Sequence, residues 1–265
     1  MRPPDTRYAQ ILTAGRTGST YLATFLAQNF PEVEVAQERE PSRALRILNN
    51  VGTLSGGTFS RLMLSFTTRC YKQSRTRWLE KSSAPLLVEV NPFIGEMGAA
   101  LSTVETAAVI HVVRHPVAWV RSSIGFGSYG WRRPIVPYLP FVRERPSLGH
   151  SDWSKWSISQ KFAWRWVRRN AAIRQHLECL EIPTIVLRYE DIFEGQQFSR
   201  DAAADMVRLF ELPPARLDSI AFDHSLRNPT LTKHQGDKFT ADDDQITAIC
   251  EAEANHYGYS ATVPG

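Results

Sequence analysis

Short apolar runs alternate with longer stretches of helical period along this chain, and that alternation sets its architecture. Tyr8–Thr13, Val33–Ala36, Leu86–Val90, Ala107–Val113 and Thr184–Leu187 read as strands. Between them Ser19–Asn29, Thr58–Thr76, Pro116–Ser123, Trp153–Leu180 and Arg200–Phe210 carry helical patterns, and Ala241–His256 reads as a last helix. Strands alternating with helices predict an α/β fold, a central parallel sheet flanked by helices on both faces. The almost continuously apolar run from Ala108 to Val113 is expected to be its most central strand.

Two regions break the pattern. A stretch at about 125–150 carries Pro134, Pro137, Pro140 and Pro146 among aromatics and arginines, and reads as a lid or irregular insertion. A polar, basic stretch at about 228–239, with Gly236, reads as a loop before the last helix. No repeat, low-complexity tract or linker divides the chain, so one domain over 1–265 is expected.

Composition narrows the function. Hydrophobic residues make up 43% of the 265, enough for a sizeable core. No apolar run reaches the roughly 18 residues of a membrane span, and the first residues lack the apolar centre of a secretory signal. The three cysteines, Cys70, Cys179 and Cys250, are far apart and without metal-ligand spacing. A reducing, cytoplasmic setting is expected. The net charge of +4 and pI near 9.0 suit anionic ligands, yet lack the dense basic stripe of a nucleic-acid binder.

The chemistry concentrates in Ile11-Leu-Thr-Ala-Gly-Arg-Thr-Gly-Ser-Thr-Tyr-Leu22. Gly15 and Gly18 permit a sharp turn and close backbone approach, and Ser19 and Thr20 open a helix whose N–H groups and dipole favour an anion. Arg16 adds a permanent positive charge. A Walker A loop would place lysine directly before the hydroxyl residue, whereas here Gly18 precedes Ser19; no G-x-G-x-x-G loop is present either. A glycine turn capped by Ser19 is the plain structural alternative. A second segment supplies the partner. The apolar strand ends at Arg114, Pro116 suits the first helical turn, and Ser122 follows about two turns in. A guanidinium and a hydroxyl there can converge on one phosphate. Two anion sites on one edge of a parallel sheet match two phosphates on one nucleotide.

These residues resemble the sulfotransferases that use 3′-phosphoadenosine 5′-phosphosulfate (PAPS). Arg16-Thr-Gly-Ser-Thr-Tyr21 is similar to their 5′-phosphosulfate loop, and Arg114-His-Pro with Ser122 is similar to their 3′-phosphate motif. Leu187-Arg-Tyr-Glu-Asp-Ile192 resembles a later strand end of the family. The resemblance implies a P-loop-like three-layer α/β domain. It implies that Arg16, Thr17, Gly18, Ser19 and Thr20 hold the 5′-phosphosulfate, and that Arg114 and Ser122 hold the 3′-phosphate. Tyr21 falls where relatives carry an aromatic near the adenine, or is simply a core aromatic; Tyr189 is a second candidate beside the base. Lys233 and His234, with Gly236, match the family's basic C-terminal loop loosely.

Sulfuryl transfer depends on alignment and charge stabilisation, with Arg16 and the helix N-terminus aimed where charge develops on the leaving oxygen. A sulfuryl group carries less charge than a terminal phosphoryl group, so no metal is expected, and the product nucleotide is PAP. The acceptor's proton needs a base. Glu38 and Glu40 lie just past the expected second strand, and the Glu40-Pro41 pair resembles the glutamate of carbohydrate-type sulfotransferases. Glu40 is the favoured base, with Glu38 and Glu89 behind it. The relatives' Glu-Lys-Thr-Pro motif stands here as Glu89-Val-Asn-Pro92, without the lysine. A glycan, a glycolipid or a small metabolite would offer the hydroxyl, or an amine. Competing readings are a P-loop kinase using ATP and a non-catalytic binder of 3′-phosphoadenosine nucleotides. His111 is expected in the core, His115 as a shaper of its loop, and Arg69–Arg77 as a solvated helix face. Trp153, Trp156, Trp164 and Trp166 read as mostly core at helical spacing, and aromatics of the insertion as an acceptor wall.

Overall fold

A computed structural model describes residues 6–55, 57–94, 97, 101–125, 153, 155–194, 197–214, 217, 220 and 242–259. The insertion beyond Gly125 and the basic loop with Lys233, His234 and Gly236 lie outside the described residues, Trp153 and the stretch from Lys155 onward being described again.

Five strands, β1 (Arg7–Thr13), β2 (Val33–Gln37), β3 (Leu86–Asn91), β4 (Ala108–Val113) and β5 (Thr184–Arg188), form one sheet in the order β2-β3-β1-β4-β5. Every neighbouring pair is parallel. The centre belongs to β1, not to β4 as the apolar run suggested: Ile11 pairs with Val90 on one side and Ile110 on the other. A central strand can carry polar side chains when each finds a partner, and buried Gln10 of β1 donates to the Tyr71 hydroxyl at 3.3 Å.

Helices α1 (Ser19–Asn29), α2 (Ser42–Ser55), α3 (Gly57–Lys81), α4 (Pro116–Gly125), α5 (Ile158–Glu178), the single turn α6 (Tyr189–Ile192), α7 (Arg200–Leu209) and α8 (Asp243–Asn255) accompany the sheet. Strand residues alternate between its faces. Ala9, Ile11, Val88, Val90 and Ile110 pack with Leu22, Phe25 and Leu26 of α1 and Ala203 and Met206 of α7. Tyr8, Leu12, Leu87 and Val109 pack instead with Leu45 of α2, Tyr71 and Trp78 of α3 and Ile173 of α5. Burying each Leu or Phe of these layers is worth roughly 1.5–3 kcal/mol. A third cluster joins Trp119 and Val120 of α4 to Phe162 and Trp166 of α5 and to Ile246 and Cys250 of α8. Among the described residues no helix is long and apolar enough to cross a membrane.

Two elements depart from the expectation. Ser42–Ser55 form α2, a stretch whose sequence pattern predicts no element. Its Asn49, Asn50 and Gly52 are weak helix formers, and packing on α3 overrides them. Helix α5 begins at Ile158 rather than Trp153, because Ser157 caps it in a reciprocal box with Gln160. Trp153 and Trp156 therefore precede the helix and, with Trp164, form a half-buried aromatic group; of the four tryptophans only Trp166 is fully buried.

The strand order positions the site. The chain leaves β1 toward β2 and leaves β4 toward β5, on opposite faces because both crossovers are right-handed. The carboxyl ends of β1 and β4 therefore flank the point where the strand order reverses, the place where open α/β sheets bind ligands.

Candidate functional site

The loop Ala14–Gly18 turns on left-handed backbone at Gly15 (φ 78°), Arg16 (φ 58°) and Gly18 (φ 77°). Glycine is required at 18 for a second reason: a Cβ there would lie 2.9 Å from Cε2 of Phe193. Arg16, with a Cβ, bears a cost of order 1–2 kcal/mol in that region, a strain kept where surrounding bonds enforce it. Those bonds are visible. Arg169 Nη1 donates to the Ala14 carbonyl at 2.8 Å, Trp119 Nε1 to the Gly15 carbonyl at 2.5 Å, and Arg114 Nη1 to the Arg16 carbonyl at 3.0 Å. Gly15 N–H donates to Thr13 Oγ1 at 2.9 Å. Helix α1 then starts with Gly18 as its cap, so Ser19 is the first helical residue and not the cap expected of it. No side chain caps this end and its first turn holds no acidic residue, which leaves the positive end of the dipole unopposed there.

The structure brings the two sequence motifs into direct contact. Arg16 Nε donates to Ser122 Oγ on α4 at 3.2 Å. The Arg114 guanidinium lies 4.4 Å from the centre of the Tyr189 ring, and Trp166 Nε1 donates to the Arg114 carbonyl at 2.9 Å. Burial, and then the positive charge of Arg114, pushes the Arg16 pKa below its ordinary value. Two guanidinium groups thus repel each other beyond the ends of β1 and β4. Arg114 Nε and Thr17 Oγ1 are buried, each without a hydrogen-bond partner among the described residues. Buried polar groups of that kind invite a polar ligand. Ser19 is half-exposed; Thr20 is exposed and accepts from Gln37 Nε2 at 2.7 Å, which ties the end of β2 to the first turn of α1.

An aromatic cluster backs the cradle. Tyr189 and Phe193 lie 4.7 Å apart between ring centres, and Phe193 meets Tyr21 edge-on at 5.1 Å. Tyr21 is buried, packed also on Phe25. Glu190 closes the far side: it accepts from the His115 N–H at 3.0 Å and from the Tyr259 hydroxyl at 2.6 Å. His115 packs edge-on to Tyr259, and burial lowers its pKa.

The three glutamates separate by environment. Glu89 is fully buried and turned toward α3, where it forms an ion pair with the equally buried Arg75, whose Nε lies 2.8 Å from its other oxygen. It also accepts from Tyr8 Oη at 2.5 Å and Asn91 Nδ2 at 2.7 Å. Burial opposes the Arg75 charge, but the hydrogen bonds to Glu89 and its negative charge hold the Arg75 pKa above the ordinary arginine value. Glu38 sits at the end of β2 with its N–H on the Val90 carbonyl at 3.0 Å, and its carboxylate pairs with Arg43. Glu40 is exposed. Its carbonyl is held by Ser74 Oγ at 3.1 Å and Arg75 Nη1 at 3.4 Å, while Arg75 Nη2 takes the Arg39 carbonyl at 3.1 Å and Ser42 Oγ at 2.6 Å. Arg75 thus corrects the expectation that 69–77 is wholly a solvated face. Sequence reasoning missed Arg75, Trp119, Arg169 and Glu190. A signal existed for one of them: an acid inside the apolar run 86–90 needs a buried cation.

Among the described residues no group of His, Cys, Asp and Glu suits a metal ion. No known family's sequence profile matches the chain. No curated protein sequence matches it either. Solved structures do. A sulfotransferase domain of the Synechococcus PCC 7002 olefin synthase aligns with 100% of this chain and 99% of its own, at 13% identity and a TM-score of 0.51. A sulfotransferase domain from the curacin biosynthetic pathway aligns over 98% and 99%, at 16% identity and 0.50. A sulfotransferase from Alicyclobacillus acidocaldarius aligns over 94% and 93%, at 13% identity and 0.53. The chain has the P-loop-like α/β fold of these proteins along nearly its whole length.

Proposed function

We propose that the chain is a sulfotransferase that takes PAPS as donor and passes its sulfuryl group to a hydroxyl or amine of a glycan, glycolipid or small molecule. The observation that carries this reading is the convergence of Arg16, Arg114 and Ser122 beyond the carboxyl ends of β1 and β4, with buried Arg114 Nε and Thr17 Oγ1 finding no hydrogen-bond partner among the described residues. The shared fold of three sulfotransferase proteins supports it. So does the chemistry of the donor set, which is cationic and hydroxylic.

In this reading Arg16, Thr17, Gly18, Ser19 and Thr20 hold the 5′-phosphosulfate and Arg114 with Ser122 the 3′-phosphate. The donor supplies an activated sulfuryl group and a phosphate leaving group. Arg16 and the uncapped start of α1 provide positive charge beside that leaving oxygen without needing to reorganise. Tyr189, already under the Arg114 guanidinium, offers an aromatic face for the adenine. Glu40 is the base that takes the acceptor's proton: Glu89 is sealed and Glu38 is committed to Arg43, whereas the Glu40 carboxylate is exposed on a backbone clamped by Arg75. The family resemblance adds Lys233 and His234, which lie outside the described residues, as donor-binding candidates.

Calorimetry with PAP and with adenosine 5′-phosphate tests the donor. Arg114→Ala should weaken PAP by about 1.5–3 kcal/mol and adenosine 5′-phosphate far less, as for a charge-assisted phosphate contact. Equal loss for both overturns the 3′-phosphate role, and tighter binding of ATP with magnesium than of PAP overturns the donor. A labelled-sulfate screen of cell extracts then compares wild type with Glu40→Gln; equal transfer by both removes Glu40 as base.

A further inference from the structure

Helix α3 carries three large apolar side chains in the open: Phe59 at 51%, Leu62 at 60% and Phe66 at 51% exposure. Their spacing of three and four puts them in one stripe on the helix. The same outward stripe continues through exposed Arg69 and Gln73, with exposed Arg61 and Lys72 on its flank. The charge pattern around it is one-sided. Residues 41–79, which hold all of α2 and most of α3, contain seven arginines and lysines and no aspartate or glutamate. Arg75 is buried against Glu89 and Arg43 pairs with Glu38, and Arg61, Arg69, Lys72 and Arg77 are exposed.

The fold directs this stripe. Arg75 binds the Glu40 carbonyl and Ser42 Oγ, so it stands at the carboxyl edge of the sheet, while Trp78 Nε1 reaches Glu34 near the start of β2. The earlier turns of α3 therefore run outward past that edge. At 1.5 Å per residue, Phe66 lies about 14 Å and Phe59 about 24 Å beyond Arg75 along the helix axis. The α2–α3 hairpin is a basic prong with an apolar outer stripe, projecting from the edge that also bears the anion cradle.

We propose that this prong docks the protein on an anionic lipid bilayer, with Phe59, Leu62 and Phe66 entering the headgroup region and Arg61, Arg69 and Lys72 meeting lipid phosphates. A helix with aromatic and leucine side chains on its outer face, cations beside them and no acids satisfies both terms of interfacial binding, apolar insertion and attraction to negative lipids. The shape fits a soft surface: the apolar residues stand out on a projecting hairpin. Charge decides the lipid class, since nothing in 41–79 repels an anionic surface. The inference does not depend on the reaction catalysed at the cradle.

The test is co-sedimentation of the full chain with vesicles of phosphatidylcholine alone and with about a third phosphatidylglycerol, alongside light scattering without lipid. Binding is expected to the phosphatidylglycerol vesicles, and should fall steeply as salt rises toward about 0.5 M, where screening shortens to a few ångström. Phe59→Ser/Phe66→Ser should lower the partition coefficient about a hundredfold, since burying one phenylalanine is worth about tenfold or more. Arg69→Gln/Lys72→Gln should lower it about tenfold or more on anionic vesicles only, near 1 kcal/mol per cation. Both variants should keep the wild-type Tm, because the substituted side chains are exposed. No binding to either vesicle overturns the proposal, as does binding that the phenylalanine pair leaves unchanged. A dimer that dissociates in Phe59→Ser/Phe66→Ser would assign the stripe to a second copy of this chain and equally overturn it.

Discussion

The buried pair of Arg75 and Glu89 lets stability be tested apart from the proposed reaction, and Glu89→Gln is the change that exposes the difference. Glu89 accepts from Arg75, Tyr8 and Asn91 with no measurable exposure, so the amide leaves a guanidinium uncompensated in the α3 face. Removing one partner of a buried ion pair costs about 3–5 kcal/mol, a large share of the roughly 5–15 kcal/mol that holds a domain together. The loss should appear in urea denaturation followed by tryptophan fluorescence. Replacing both charges, Arg75→Met with Glu89→Leu, removes the stranded cation and should recover at least about 2 kcal/mol of it. The double variant still lacks the Arg75 bonds to the Arg39 and Glu40 carbonyls and to Ser42 Oγ. If the proposed function holds, transfer should therefore stay slow while PAP binding is unchanged, since the bonds seen on the 14–18 loop come from Thr13, Arg114, Trp119 and Arg169. A cost below about 1 kcal/mol for Glu89→Gln refutes the buried-charge argument. A double variant as unstable as the single one refutes it equally.

Three further outcomes follow from the same geometry. Gly18→Ala places a Cβ at φ 77° and 2.9 Å from Phe193, so it should cost about 1–3 kcal/mol and weaken PAP, read by Tm and calorimetry; an unchanged pair of values argues against the close approach. Burial lowers the pKa of His111 to about 4, so the unfolded chain binds a proton that the folded one does not. That contribution, about 3 kcal/mol, is complete above the unfolded value near 6.5 and is lost as pH falls toward 4. His111→Asn should flatten the denaturation profile in that window relative to wild type, and a parallel profile would contradict the assignment. Ser157→Ala removes the side-chain bond to the Gln160 N–H and should destabilise the protein by about 0.5–2 kcal/mol in the same urea assay, with no effect expected on PAP affinity.

The strands, the glycine loop and the Arg114–Ser122 spacing were legible because each is local. A short apolar run buried on both faces of a parallel sheet, a left-handed turn and a helix start leave marks within a dozen residues. The Gly15–Gly18 loop and Pro116 at the head of α4 stand where those marks placed them. Helix α2 was illegible for the opposite reason, since its asparagines and glycine carry no strong local preference and its stability comes from lying on α3.

The central strand was misjudged for a related cause: hydropathy reports how buried a strand is, and strand order depends on which crossovers close around it. Sequence alone showed a glycine loop bearing Arg16 and a second cationic strand end, at Arg114, about a hundred residues away. Only the fold laid Arg16 on Ser122, set Arg114 under the loop and over Tyr189, and sorted three similar glutamates into one sealed, one paired and one exposed. The physical reason is range. A carboxylate's chemistry is decided by the groups that surround it, and those of Glu89 come from β1, β3 and α3, segments that meet only when the sheet is complete.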